Sequence, residues 1–363
     1  MTDTVITSIE QVTTKWLTYV LVNSGAITHG EVKSFELGTG QGNWSTNVNL
    51  RVKYTEGAKG SLPQRLFLKI VDTDLGDGEM FGNSEVTYYT KDYIDLDNAP
   101  LLRCYSANYS QDLNKYHLLL EDVSETHIEA SDKEPTLEYG LALAEGLAGL
   151  HSQWWGEMRL AQAGAAMHDA QHIQQFVEIA KPGVEHILRQ FSQELKPQWH
   201  QTLHEIYAKH PQVIINRTSN QNGFTIIHGD VGCSNVLVPR QGEKPIYIID
   251  RQPFNWSLTV WLGVYDLAYA LVLDWEIEPR RRHEIAILKQ YHEHLMKNGV
   301  RNYSLEQLYN DYKLCVVMCV YIATEYCRGG INERRVHVWL PMLQRALTAC
   351  DDLDCYMTWR GKQ

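Results

Sequence analysis

No two cysteines are spaced as C-x-x-C, and the seven that occur are scattered and odd in number. That pattern argues against a disulfide framework or a zinc ribbon and for reduced, buried thiols in a reducing compartment. Cys315 and Cys319, four apart in an apolar run, read as buried positions on one helix. The first residues lack a basic region followed by a long apolar stretch, so no secretory signal is expected. The run Trp16 to Val22 is too short to span a bilayer. Basic excess is also missing: 33 Lys and Arg stand against 44 Asp and Glu, a net charge of −11. A general nucleic-acid or anionic-membrane binder is therefore not expected. There is no internal repeat and no low-complexity tract. A cytoplasmic location is the expectation.

What is present is a chain of 363 residues, 44% hydrophobic, long enough for two lobes with substantial cores. Residues 1–30 read as one or two helices. Val48, Leu50, Val52 and Tyr54 alternate with Asn49, Arg51 and Lys53, a period-2 strand with one buried face. Residues 65–71 form a second strand, and the two make a hairpin with a turn containing Gly57, Gly60 and Pro63. A polar loop follows, then a helix with Ser84 as its N-cap. More strand occupies 99–122. From about 135 onward the periodicity is helical, except for an apolar strand pair within 224–250. The fold class expected is α+β: a small, antiparallel β-rich lobe over 1–121 that binds nucleotide, and a larger, mainly helical lobe over 122–363.

The segment from Thr225 to Asp250 carries the chemistry. Asn235 opens one short apolar strand and Asp250 ends the next, so a hairpin is expected to bring them together. A carboxylate and an amide oxygen at one spot suit a hard cation such as Mg²⁺. Asp230, five residues before Asn235, is placed to accept a proton from an attacking hydroxyl. This is the logic of a kinase catalytic loop followed by a metal-binding aspartate. Lys69 shares strand parity with Phe67 and Val71 and so faces an apolar side, where a lysine needs a partner. Glu85 on the next helix is the expected partner, and the pair would aim the ammonium at nucleotide phosphates. The loop from Gly38 to Ser45 contains Gly40 and Gly42, whose backbone N–H groups are suited to phosphate. No Gly-Lys-Ser/Thr follows, so it is not the lysine-bearing phosphate loop.

At these residues the chain resembles the aminoglycoside phosphotransferase and choline kinase superfamily, and within it the ecdysteroid-kinase-like group and its bacterial relatives. The resemblance runs through the glycine-rich loop, Lys69, Glu85 before Tyr88 and Tyr89, and Leu120-Glu-Asp122. It continues through Leu150-His-Ser-Gln-Trp-Trp155, His228-Gly-Asp230, Asn235, Asp250 and Tyr265-Asp-Leu-Ala268. It implies a protein-kinase-like bilobal fold with ATP held between the lobes. It assigns Asp230 as catalytic base, Asn235 and Asp250 as Mg²⁺ ligands, and Lys69 as a phosphate contact. Asp266 becomes the aspartate that braces the catalytic loop, and backbone groups of Glu121 and Val123 would meet adenine. Two departures stand out: Arg251 where many relatives carry an aromatic, and Val-Gly-Cys-Ser within the catalytic loop. The expected activity is ATP- and Mg²⁺-dependent phosphorylation of a hydroxyl on a small molecule.

Two other readings stay open at this level. One is a nucleotide-binding pseudokinase acting as a scaffold, although the base, the lysine and both metal ligands are present. The other is a protein kinase, opposed by His-Gly-Asp in place of His-Arg-Asp and by the lack of Asp-Phe-Gly and Ala-Pro-Glu. The histidine pairs His200/His204 and His292/His294 read as solvated helix faces rather than metal ligands. Cys233, beside acidic groups, is not expected to be a nucleophile. Arg280-Arg-Arg282 reads as a solvated helix start. For the acceptor, the residues singled out are Trp256, Trp261, Asp274, Trp275, Glu276, Glu278, Tyr321, Glu325 and Tyr326, an acidic and aromatic set suited to a cationic or neutral head.

Overall fold

The computed structural model describes residues 4–38, 45–74, 81–242 and 244–360. The chain forms two compact units: residues 1–128 with 237–255, and residues 129–236 with 256–363. The sequence predicts a single boundary near Asp122, whereas the chain returns to the first unit for Leu237–Asn255.

The first unit starts with helix α1 (Thr14–Asn23), capped by Thr13, whose hydroxyl accepts from the Trp16 N–H. A 3-10 turn (Ile9–Gln11) precedes it, and a short strand, β1 (Ile27–His29), follows and pairs with β4 (Lys59–Gly60). The main sheet contains β2 (Val32–Leu37), β3 (Ser45–Tyr54), β5 (Arg65–Asp72), β6 (Cys104–Ser110) and β7 (Lys115–Glu121). Its order is β2-β3-β5-β7-β6, antiparallel throughout. Strand β2 carries no clean alternation and is not evident in the sequence. On one face Leu50, Val52, Leu66, Leu68 and Ile70 pack with Leu17, Val20 and Leu21 of α1. Pleating sends Lys69 to the other face. There the chain continues into α2 (Ser84–Thr87) and a π-turn (Tyr88–Asp92). The N-cap of α2 is Asn83, not Ser84, whose hydroxyl is used elsewhere. A small sheet of order β11-β10-β8 joins β8 (His127–Glu129), β10 (Val236–Pro239) and β11 (Tyr247–Ile248).

The second unit is helical: α3 (Leu137–Gln153), α4 (Glu157–Ala163), α5 (Ala170–Phe191), α6 (Pro197–Arg217), α7 (Val264–Ala268), α8 (Ile277–Lys297), α9 (Leu305–Glu325), α10 (Val336–Asp352) and α11 (Met357–Arg360). A strand pair, β9 (Phe224–Ile226) with β12 (Val260–Leu262), runs antiparallel inside it. Helix α9 is the central element, with Cys315 and Cys319 fully buried on it as expected. The Arg280–Arg282 run is not all solvated. Arg280 is buried, pairing with Glu284 at 2.9 Å and with Asp352, while Tyr312 donates to Glu284. Helical periodicity turns only one of three consecutive arginines inward, and the partners come from α8 and α10. Among the described residues no helix is long and apolar enough to cross a membrane.

Candidate active site

In the first unit the site is built on β5. Lys69 is only 8% exposed, and its ammonium lies 2.9 and 3.0 Å from the two Glu85 oxygens and 2.8 Å from Asp250 Oδ1. Sequence parity anticipates both the inward direction and the Glu85 partner. It does not anticipate Tyr116 of β7, whose hydroxyl donates to Glu85 Oε2 at 2.5 Å. Burial draws the Lys69 pKa down, but the carboxylates of Glu85 and Asp250 outweigh it and hold the ammonium charged. Burial pushes Glu85 up to about 7, against the pull of Lys69. Asp250 lies just past β11 in the left-handed backbone region, φ 59°, with its side chain about half exposed. One of its oxygens is therefore committed to Lys69 while the group still faces solvent.

Past β7 the Glu121 N–H is taken by the Arg103 carbonyl at 2.9 Å. The Val123 carbonyl accepts from Thr126 and His127, while its own N–H donates to no group among the described residues. Asp122 holds this segment in place, accepting from Arg65, Asn49 and the Ser124 N–H. Gly40 and Gly42 lie outside the described residues.

In the second unit the catalytic loop is fixed from below. Asp266, fully buried, accepts from the backbone N–H of His228 at 2.7 Å and of Gly229 at 2.9 Å, and pairs with His151 Nε2 at 3.0 Å. Burial would raise its pKa, yet the His151 contact and the N–H donors hold it below the usual carboxylate value. His151 is in turn held by the Tyr291 hydroxyl at 2.8 Å. Gly229 takes φ 84°, which a side chain would strain.

Both oxygens of Asp230 are engaged. Tyr269 Oη donates to Oδ1 at 2.6 Å, and Asn235 Nδ2 donates to Oδ2 at 3.1 Å and to the Asp230 carbonyl at 2.9 Å. The Asn235 amide nitrogen is thereby used by Asp230. Further along the loop, Asp274 accepts from the Cys233 N–H at 2.6 Å. The Cys233 thiol is pushed up to about 12 by burial and by Asp274, which agrees with its exclusion as a nucleophile.

Tyr269 and Asp274 open and close one π-turn (Tyr269–Asp274). In an α-helix side chains five apart diverge; the wider π-turn brings them to one face, and both reach the loop. Sequence reading misses Tyr269. Its only signal is its position one residue after Tyr265-Asp-Leu-Ala268, three after Asp266 and so on the same helical face.

Several expected acceptor groups are elsewhere. Tyr321 is buried with its hydroxyl 2.7 Å from His210 Nδ1, and Trp261 and Trp275 are core residues at 0% and 2% exposure. Tyr326, in contrast, lies within electrostatic reach of Asp230, Asp274 and Glu325. Among the described residues no three His, Cys, Asp or Glu side chains cluster as a metal site.

No curated protein sequence matches the chain. Solved structures do resemble it: an ethanolamine kinase of Plasmodium vivax (TM-score 0.53, 10% identity, 90% of this chain and 83% of that one) and a choline kinase of Cryptosporidium parvum (0.52, 11%, 88% and 88%). A glucosamine kinase is similar to the same degree (0.53, 12%, 94% and 84%). At such identities these likenesses establish the kinase-like α+β fold. The sequence model of the ecdysteroid kinase-like family matches residues 88–301, more than half of the chain and including Asp230, Asn235, Asp250 and Asp266. The chain belongs to the ecdysteroid kinase-like family.

Proposed function

We propose that the protein is a phosphotransferase that moves the γ-phosphoryl group of ATP, with Mg²⁺, to a hydroxyl of a small molecule. The observation that carries this reading is Lys69, nearly buried yet bound to two carboxylates that lie 16 and 181 residues away. Burying a lysine against a buried glutamate costs stability and is retained where the charge has work to do. The donors fit the group: Asp250 and Asn235 offer hard oxygens, and the unengaged N–H of Val123 suits an acceptor on adenine. Mg²⁺, when bound, neutralises charge building on the phosphates.

The rest belongs to the chain. Lys69, oriented by Glu85 and Tyr116, supplies positive charge for nucleotide phosphate. Asp230 takes the proton of the acceptor hydroxyl as that oxygen bonds to phosphorus and the bond to the departing diphosphate breaks. Tyr269 and Asn235 fix which way the Asp230 carboxylate faces, and Asp266 fixes the loop. The free cysteines, five of them buried, suit a reducing compartment such as the cytoplasm.

The test is ³¹P-monitored turnover of MgATP against a panel of hydroxylated amines, sugars and sterols, beginning with ethanolamine, choline and glucosamine. The reading predicts a phosphate ester on at least one alcohol. Nucleotide binding with no ester from any alcohol, with ATP or with GTP, would instead point to a scaffold.

A further inference from the structure

Arg251 directly follows Asp250 and is only 5% exposed, an unusual place for a guanidinium. Its Nη1 donates to Asp92 Oδ2 at 2.6 Å, and Asp92 is itself 7% exposed. The guanidinium carbon sits 5.9 Å from the centre of the Tyr88 ring. Asp92 ends the π-turn that continues α2, the helix bearing Glu85. The two segments are fastened at other points too. Tyr88 Oη donates to the Ile248 carbonyl at 3.3 Å, Ser84 Oγ to the Gln252 carbonyl at 2.6 Å, and the Gly82 N–H to the Pro253 carbonyl at 2.8 Å. Those contacts all end on backbone carbonyls. The Arg251–Asp92 pair addresses one side chain, is charged at both ends and is buried, so it is the directional one.

Between these fastenings Asp250 holds φ 59°, in the left-handed region. An aromatic at 251 would fill the space but would not set an angle. Resting on the assignment of Asp250 as a metal ligand, we propose that Arg251 is a positioning residue: through Asp92 it fixes the Asp250 carboxylate, relative to Lys69 and Glu85, in the orientation that binds the metal–nucleotide complex.

Calorimetry of the full chain with ATP, once with MgCl₂ and once with EDTA, tests this without an acceptor. Arg251→Met and Asp92→Asn are expected to weaken ATP binding about 10-fold with Mg²⁺, the usual scale for a partner of a metal ligand. Without metal the same variants should stay within about 2-fold of wild type, a split that general loosening would not give. The double variant should weaken Mg²⁺-ATP binding by less than the product of the two single effects, because the pair is common to both. Arg251→Gln, which removes the charge but keeps a polar side chain, replaces the Met variant if that one does not fold. Asp250→Ala is the control. Wild-type Mg²⁺ dependence in the Arg251 and Asp92 variants, with the dependence lost in Asp250→Ala, overturns this inference alone. Full dependence in Asp250→Ala overturns the metal assignment as well.

Discussion

A single hydroxyl separates Tyr269 from phenylalanine, and its role can be read by removing it. Its 2.6 Å contact is one of two that orient the Asp230 carboxylate. Tyr269→Phe keeps the ring packed against Tyr265 and is expected to lower kcat about 10-fold, with ATP affinity unchanged. An unchanged kcat in a folded variant would remove Tyr269 from the site. Asp266 is different in kind, because it meets three donors in a dry interior. Asp266→Ala takes the partner from two backbone N–H groups and from His151 Nε2 and is expected to cost about 3 kcal/mol of stability, measured by urea unfolding. The pairings Lys69–Glu85 and Asn235–Asp230 are legible in sequence, because strand parity and fixed spacing on short elements carry them. Tyr116 and Tyr269 are not legible: a tyrosine on a strand or helix has no spacing signature, and only packing shows where its hydroxyl ends.

The elements show the same division. Strands β3 and β5 are readable because one face is buried and the other is not, so the alternation survives in the sequence. Strand β2, at the sheet edge with only Val32 buried, has no such pattern. The edge of a sheet leaves side chains unconstrained on both faces, and period gives nothing to read. Helix ends are less legible than helix bodies, as the cap of α2 at Asn83 shows. One crossing depends on a missing side chain: Gly183, mid-α5, lies so near α9 that a β-carbon would sit 1.9 Å from the Thr324 carbonyl oxygen. Backbone cannot step aside as a side chain can. Gly183→Ala is therefore expected to lose about 3 kcal/mol, the upper end for overpacking, and a melting temperature within a degree of wild type would contradict the crossing.

At the scale of the whole molecule, two buried histidines and the half-buried His168 set an acid limit. Burial lowers His117 and His168 to about 4 and His210 to about 3, so each is neutral in the fold. The Ile6 N–H donates to His117 Nδ1 at 3.0 Å, an acceptor role that protonation would abolish. Unfolded, each would titrate near 6.5. Their contribution is complete above that value and is lost as pH falls from about 6.5 toward 4. Asp274, raised to about 6 chiefly by burial, works in the opposite sense, its share being lost as pH rises to 6. A His117→Asn variant isolates one histidine. The stability difference between wild type and variant should fall by about 1.4 kcal/mol per pH unit between pH 6 and 4. A difference independent of pH would mean that His117 is charged in the fold. All of these properties would be shared by a scaffold, and only transfer separates a kinase from one. The deciding measurement is single-turnover ³¹P transfer from MgATP to the alcohol identified by screening, with wild type beside Asp230→Asn. The asparagine variant should bind ATP as wild type does and transfer on the order of 10²–10⁴ times more slowly. Transfer at a near wild-type rate would contradict Asp230 as the base and, with it, the proposed phosphotransferase mechanism.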